Sequence, residues 1–378
     1  MSRYENFDLT YVTIDSLAEG VGSSQITPLI SRLTREGLKI SVISFEKVAP
    51  TNELAQYFQS LGVEWKSHPF GSRGLKGGLD RLNKLRREIP KTNLIHARSD
   101  IPAVAGIASN QAPILWDVRS LWADQKVMIQ NNLIHSSLYH SYRGLEKLAA
   151  QKSLGMSTLT SAVVPVLEAR NRRLPTLRTV VSTAVDLSRF LTSTQFPLRN
   201  SALFSGTYNN FYDLHLSAEF IQELRKRIEL DVHWARPFES RKMSIGVGET
   251  KVIPATQIEM AMLIPNYSFG VSVCKLNAGP SLAAAMPTKI GEFLACGRPV
   301  VVNKGLGDMD AFLEEFDAGV VLNGKPRNLA ESAEKLIFLI NDPNTPNRCR
   351  ALAEKYFSMD KGAKSYLEIY QQMGNLKL

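Results

Sequence analysis

Leu9-Thr10-Tyr11-Val12-Thr13-Ile14 is a β-branched and aromatic run that halts at Asp15. A loop over 16–24 follows, carrying Gly20 and Gly22. Ile26, Leu29, Ile30 and Leu33 then recur at helical spacing, and Gly37 stops the helix. Residues 39–45, KISVISF, form the next β-rich run. Strand, glycine loop, helix and strand in this order predict parallel strands joined by a covering helix.

Working outward, the same alternation continues. Strands are expected over 63–70, 93–98 and 113–120, with further short ones at 157–161 and 179–183. A helix over 75–89 carries Leu75, Leu79, Leu82 and Ile89 as an apolar stripe that should pack on the sheet. That leaves Arg81, Lys84, Arg87 and Lys91 facing outward. After a joint near 185–196 the pattern repeats, with strands at 201–206, 230–236, 249–255, 267–275, 299–305 and 319–322 and a helical C-terminus. The fold class is therefore α/β, in two doubly wound halves. In such sheets ligands bind beyond the carboxyl ends of the strands. Asp15, Gly20, Gly22, His96, Arg98, Asp117 and Arg119 all lie at such ends in the first half.

Composition removes other classes. With 378 residues, 44% hydrophobic and 21% charged, the chain has a globular rather than a disordered or fibrous make-up. Three cysteines without short spacing argue against a disulfide framework or a cysteine-built zinc site, and the histidines show no metal spacing. Together with a charged, non-apolar start, this sets the expectation of a cytoplasmic protein. The net charge of +9 is uneven: residues 1–190 hold 24 basic and 16 acidic residues, an excess of +8. Within 66–91, eight basic residues face Asp80 and Glu88, an excess of +6. An anionic membrane surface suits such a patch, and a solvated basic face is the plainer alternative.

Two motifs carry chemistry. Gly22 and Ser23, ahead of the first helix, let a ligand approach the backbone, although a tight turn explains them equally well. The dinucleotide fingerprint is absent, since no third glycine follows in place. Met286-Pro287-Thr288-Lys289-Ile290-Gly291-Glu292 is sharper. Pro287 and Thr288 mark a helix start, and Lys289 and Glu292 share one face of its first turn. A cation at a helix N-terminus is disfavoured unless an anion is bound there. Lys289 thus reads as a diphosphate grip and Glu292 as a holder of sugar hydroxyls, against the alternative of a surface ion pair.

Four stretches resemble the retaining glycosyltransferases of two-Rossmann-domain type, the GT-B fold, in the large family 4-like group. They are the glycine loop with residues 25–37, the junction Val185-Asp186-Leu187-Ser188-Arg189-Phe190, the strand and loop Phe204-Ser205-Gly206-Thr207, and residues 287–301. The resemblance implies two Rossmann-like domains facing a central cleft: an acceptor-side domain over 1–190, a nucleotide-sugar donor domain over 191–355, and a helix over 356–378 crossing back to the first.

It also implies site roles. Glu292 matches the residue that holds the nucleotide ribose, Lys289 sits beside the diphosphate, and Gly206 and Thr207 face the donor phosphates. Pro287, Thr288, Ile290 and Pro254 join the donor side, with Lys275 and Arg236 as further cations. Gly22, with Ser23, faces the reaction centre on the acceptor side. By their strand-end positions Asp117 and Arg119 join that side and Arg98 the catalytic set: Arg98 and Arg119 are expected to hold an acidic acceptor with Asp117 orienting one of them, and an internal Asp–Arg ion pair is the alternative. Ala284 stands where the family has a second glutamate, Arg98 where it often has histidine, and residues 208–213 lack the usual basic pair. The implied activity is sugar transfer from a UDP- or GDP-sugar to a glycan or lipid-linked acceptor in polysaccharide or glycoconjugate synthesis. No cofactor, metal or nucleic acid is expected. A nucleotide-sugar epimerase and a non-catalytic sugar-nucleotide-binding protein are the alternatives.

Overall fold

A computed structural model of the chain describes residues 7–130, 136–206, 209–236, 251–254 and 256–374. It separates into two compact units, one of residues 1–124, 132–181 and 359–378, the other of 125–131 and 182–358.

The first unit holds seven strands: β1 Phe7–Val12, β2 Ile40–Glu46, β3 Glu64–Pro69, β4 Thr92–Arg98, β5 Ile114–Val118, β6 Gly155–Thr158 and β7 Leu177–Val180. Their order is β3-β2-β1-β4-β5-β6-β7, with every pair parallel. β2 and β5 are buried along their whole length, as parallel strands covered on both faces are, and they bury Ser41, Ser44, Glu46 and Asp117 along with their apolar residues. β3 lies at an edge and is half exposed.

Helices Asn52–Ser60, Trp122–Gln130, Tyr139–Lys152 and Val163–Arg170 also lie between these strands in the chain. Only Phe58 of the first is buried, and the third buries Glu146 beside Tyr142, Ala149 and Ala150, which hides its periodicity.

The helix Gly74–Glu88 overturns one expectation. Its buried residues are Gly77, Arg81 and Leu85, while Leu75 is 48% and Leu79 58% exposed. Arg81, expected to face outward, donates to Phe70 O at 2.7 Å and Ser72 O at 2.9 Å, with its guanidinium 4.1 Å from the Phe70 ring centroid. A Cβ on Gly77 would lie 1.9 Å from Ser72 O, so the first turn of the helix folds closely against the residues just before it. Lys84, Arg87 and Lys91 are exposed.

The second unit holds β8 Ser201–Ser205, β9 Asp231–Arg236, β10 Lys251–Pro254, β11 Phe269–Ser272, β12 Val300–Asn303 and β13 Gly319–Leu322. The order is β10-β9-β8-β11-β12-β13, again all parallel. Phe204, Phe220, Trp234, Phe269 and Val301 stand at the centre of its core.

The C-terminal helical stretch is two helices, Thr345–Tyr356 and Met359–Gln372. The second belongs to the first unit, where Tyr366 and Tyr370 pack against His96. In each sheet the strand order reverses once, between β1 and β4 and between β8 and β11. These are the places where a doubly wound sheet opens for a ligand.

Candidate functional site

In the second unit the chain leaves β8 at Gly206, whose φ of 79° opens the turn. Its N–H donates to Ala235 O at 2.8 Å and its carbonyl accepts from Trp234 Nε1 at 2.9 Å. Arg236 lies over the Trp234 ring at 5.3 Å. Thr207 lies outside the described residues, and of Pro254 only the backbone, in β10, is described.

Residues 209–213 then run alongside the segment that follows β11. Asp213 N donates to Val273 O at 3.0 Å, Lys275 N donates to Phe211 O at 2.9 Å, and Tyr212 pairs with Cys274 in an antiparallel bridge. Asp213 accepts from Leu216 N at 2.9 Å and so caps the helix Leu214–Arg225. Cys274 N donates to Asn303 Oδ1 at 2.7 Å, which ties the segment to the end of β12.

The helix Thr288–Ala295 begins with Pro287 as N-cap in an extended conformation. Lys289 and Glu292 are both buried on its first turn, at 9% and 8% exposure. The Lys289 ammonium sits 4.2 Å from the Tyr212 ring centroid. Burial lowers the Lys289 pKa to about 7, against the pull of Cys274 and Glu292. Burial also raises Glu292 to about 7, against Lys289 and Arg189. Cys274 is pushed up to about 12 by its surroundings and behaves as an inert thiol. Ile290, expected on the donor side, is fully buried in the core and gives its N–H to Pro287 O. Its side chain is packing, since the opposite face of this one-turn pattern must cover the sheet. Gly291 lets the helix approach Val185 and Phe357, where a Cβ would meet them at 2.8 and 2.9 Å.

In the first unit the strand ends carry a compensated network. Arg98 Nε donates to Asp15 Oδ2 at 2.8 Å and its NH1 is 3.6 Å from Asp117. Arg119 NH1 is 3.5 Å from Asp117 and 3.3 Å from the Tyr366 hydroxyl. Ser157 Oγ donates to Asp117 at 2.9 Å, and His96 pairs with Asp117 at 3.3 Å and with Tyr370 Oη at 2.6 Å. Burial pushes the Asp117 carboxyl upward, but Arg119, His96 and Arg98 outweigh it and hold it well below the usual range. Burial lowers His96, against the pull of Asp117. Arg98 and Arg119 therefore already have their carboxylates. The internal ion-pair alternative fits better here than a grip on an acidic acceptor.

Gly22 opens a π-helical turn, Gly22–Ile26. A Cβ there would fall 1.9 Å from Ser16 O, so only glycine fits. The loop it rests on is fastened by Glu46 at the end of β2, which accepts from Ser16 Oγ at 2.7 Å and from the N–H groups of Leu17 and Ala18 at 3.1 Å. Ser23 Oγ donates to Gly20 O at 3.0 Å and does not join the Asp117 network. Among the described residues, no three His, Cys, Asp or Glu side chains form a group that could hold a metal ion.

Two contributors escape sequence reading. Tyr212 lies in a stretch that shows only as lacking Arg and Lys, and Glu46 ends β2 without the glycine pattern that would mark it. Each acts on residues far along the chain, so neither leaves a local signal.

The chain matches no protein-family model and no curated protein sequence. It is similar to several solved structures. Sucrose-phosphate synthase from Thermosynechococcus elongatus superposes with a TM-score of 0.72 at 12% identity, over 97% of this chain and 98% of that one. Anabaena HepE, crystallised with UDP and glucose, gives 0.68 at 14% identity, over 97% and 100%. A glycosyltransferase from Rickettsia africae gives 0.67 at 11%, over 98% and 99%. Likeness at such identity speaks for the fold, and the fold of this chain is that of the GT-B glycosyltransferases.

Proposed function

We propose that this chain is a glycosyltransferase. In this reading it moves a sugar from a UDP- or GDP-sugar to a glycan or lipid-linked acceptor, with retention at the anomeric carbon and without a metal ion. It serves polysaccharide or glycoconjugate synthesis at the cytoplasmic face of a membrane. Residues 1–190 carry the acceptor side, residues 191–355 the donor side, and the helix over 356–378 returns to the first.

The observation that carries the reading is the buried Lys289–Glu292 pair on the first turn of a helix, beside the β8–β11 switch point. As the sugar C1–oxygen bond breaks, negative charge grows on the departing diphosphate. A protonated Lys289 at a helix N-terminus stabilises that charge. Glu292 is placed to accept from ribose hydroxyls. The binding of UDP and glucose by HepE, a structure of the same fold, supports the choice of donor class. A UDP-, GDP- and ADP-sugar thermal-shift panel tests it, because a bound nucleotide raises apparent stability by mass action. One nucleotide diphosphate should raise the melting temperature in the parent and not in Lys289→Ala; no response to any of them would sink the reading.

A second reading, binding without turnover, rests on Ala284. This residue is buried, at 2% exposure, and puts a methyl where the resembled family carries a glutamate. Product analysis with donor alone and with donor plus glycan acceptors separates the readings. Free sugar or a transferred sugar supports catalysis, and binding without either supports the alternative.

The membrane partner rests on the outward strip of Leu75 and Leu79, set among exposed Arg73, Lys76, Lys84, Arg86 and Arg87. A basic helix with apolar residues in its outer face suits an anionic bilayer. Among the described residues, no helix is long and apolar enough to cross a membrane. Sedimentation with phosphatidylglycerol vesicles should carry the protein down at low salt. Phosphatidylcholine vesicles should not, and Leu75→Gln/Leu79→Gln should weaken the effect. Equal recovery with both lipids would remove this partner.

A further inference from the structure

The loop that follows β8 poses a question which the donor reading leaves open. It lacks the basic pair expected there, yet its backbone is fastened closely. Phe211 N donates to Asn209 Oδ1 at 2.9 Å, Tyr212 N donates to Asn209 O at 3.1 Å, and two further backbone bonds join the stretch to 273–275. Buried Phe211 stands edge-on to Tyr212 with ring centroids 6.1 Å apart. A backbone held at so many points fixes one ring, and that ring ends 4.2 Å from the Lys289 ammonium.

A cation over a tyrosine face is attracted by the ring quadrupole, most strongly where water is excluded. Lys289 is such a cation. It is buried, and burial favours its neutral form, which cannot hold an anion. Cys274, from the segment after β11, and Glu292, one turn along the same helix, also face it and favour its charged form. Cys274 is itself held protonated by burial, and Glu292 is pushed toward neutrality, so both give weak support. The ring is a further source of support for the ammonium, and it does not depend on pH over this range, because burial moves the Tyr212 phenol upward.

We propose that Tyr212 is a positioning residue for Lys289: its ring keeps the ammonium charged and fixed in the place where a nucleotide diphosphate would meet it. The diphosphate part rests on the donor reading above; the action on Lys289 does not. In this way an aromatic side chain replaces, through one lysine, the loop cations that this chain lacks.

The test reads both parts separately. Protein labelled with 13C at lysine Cε is titrated from pH 5 to 9 without ligand, and the Lys289 signal is identified by its loss in Lys289→Arg. Tyr212→Leu and Tyr212→Met should lower the Lys289 titration midpoint by about one pH unit, and Tyr212→Phe should keep it. Two replacements guard against one that fails to fold. An unchanged midpoint in either folded variant overturns the proposal.

UDP and uridine binding are then measured by calorimetry at pH 7.5 and 5.5. With a one-unit shift, Tyr212→Leu should bind UDP roughly eight-fold more weakly at pH 7.5 and close to the parent at pH 5.5, while uridine is unaffected. Equal weakening at both pH values, or an equal loss for uridine, means that Tyr212 merely supports the loop, and overturns the proposal. A shifted lysine midpoint with no nucleotide binding in the parent upholds the action on Lys289 and removes the donor reading instead.

Discussion

The strand ends of the two units solve the burial of charge in opposite ways. At the β4–β5 end of the first, one carboxylate, Asp117, lies near two guanidiniums and an imidazole, and Arg98 has Asp15 besides. Every charge there has a partner, and Asp117 stays ionised. At the β8–β11 end of the second, Lys289 and Glu292 are buried on one helix, and burial drives both toward neutrality. A network of opposite charges holds structure together, whereas a buried cation at a helix N-terminus gains free energy when an anion arrives. The contrast separates a fastening from a receptor, even though both sit at sheet positions that topology marks for ligands.

The largest expected effect breaks the first side of this contrast. Asp117→Asn leaves buried Arg98 and half-buried Arg119 without their shared carboxylate and should cost about 3–5 kcal/mol. Urea unfolding followed by the fluorescence of Trp116, whose strand carries Asp117, measures it; a loss under ~1 kcal/mol would show the network to be dispensable. The folded carboxyl lies below its unfolded value, so its contribution is present above the ordinary Asp range and lost as pH falls through the folded value. Acid unfolding of Asp117→Asn should accordingly be less steep than that of the parent.

Lys289→Met sharpens the second side. Removing this buried cation should leave the protein no more than about 1 kcal/mol less stable, because an apolar replacement of buried charge is often neutral. The same change should cost about 1.5–3 kcal/mol in nucleotide-diphosphate binding. Calorimetry beside thermal unfolding reads both, and a protein that loses stability but not affinity would place Lys289 among the fastenings. In the parent, affinity should fall as pH rises through about 7, where Lys289 gives up its proton. The stability penalty has the opposite course: it is present below the folded value and relieved as pH climbs toward the unfolded lysine range.

Gly22→Ala tests whether the first unit also holds its glycine loop by contact alone. The added methyl meets the Ser16 carbonyl, which Glu46 keeps in place through the neighbouring residues, and should cost about 1–3 kcal/mol. A melting curve identical to that of the parent would mean that the loop yields. The smallest effect belongs to Glu292→Gln. A carboxyl raised to about 7 is largely protonated below neutrality, and glutamine resembles that form. Stability at pH 6 should change by under ~1 kcal/mol, in contrast to Asp117→Asn. A loss as large as that of Asp117→Asn would put the two carboxylates in one class.

Much of this was legible in the residues. The alternation of apolar runs and amphipathic helices announced two parallel sheets, because strand-forming and helix-forming periods are local properties. Gly22 and the segment 286–292 stand out because glycine freedom and a cation at a helix start have local physical meanings, whereas Gly206 is marked only by the family resemblance. Less of the site was legible. Ile290 reads as a donor contact by its place in the motif and turns out to be core, since a one-turn pattern names the helix face only once the sheet beneath it is known.

The sequence by itself determined the succession of elements, their parallel pairing and the turns that only glycine can make, all of which follow from interactions between near neighbours. The tertiary structure alone decided the rest. It turned the helix Gly74–Glu88 so that Gly77, Arg81 and Leu85 face inward and Leu75 and Leu79 outward, with Arg81 held on Phe70 O and over the Phe70 ring. It set Glu46 under the glycine loop and Tyr212 over Lys289. Such pairings join residues that only strand register and helix rotation bring together, and helical periodicity alone does not say which face will win the core.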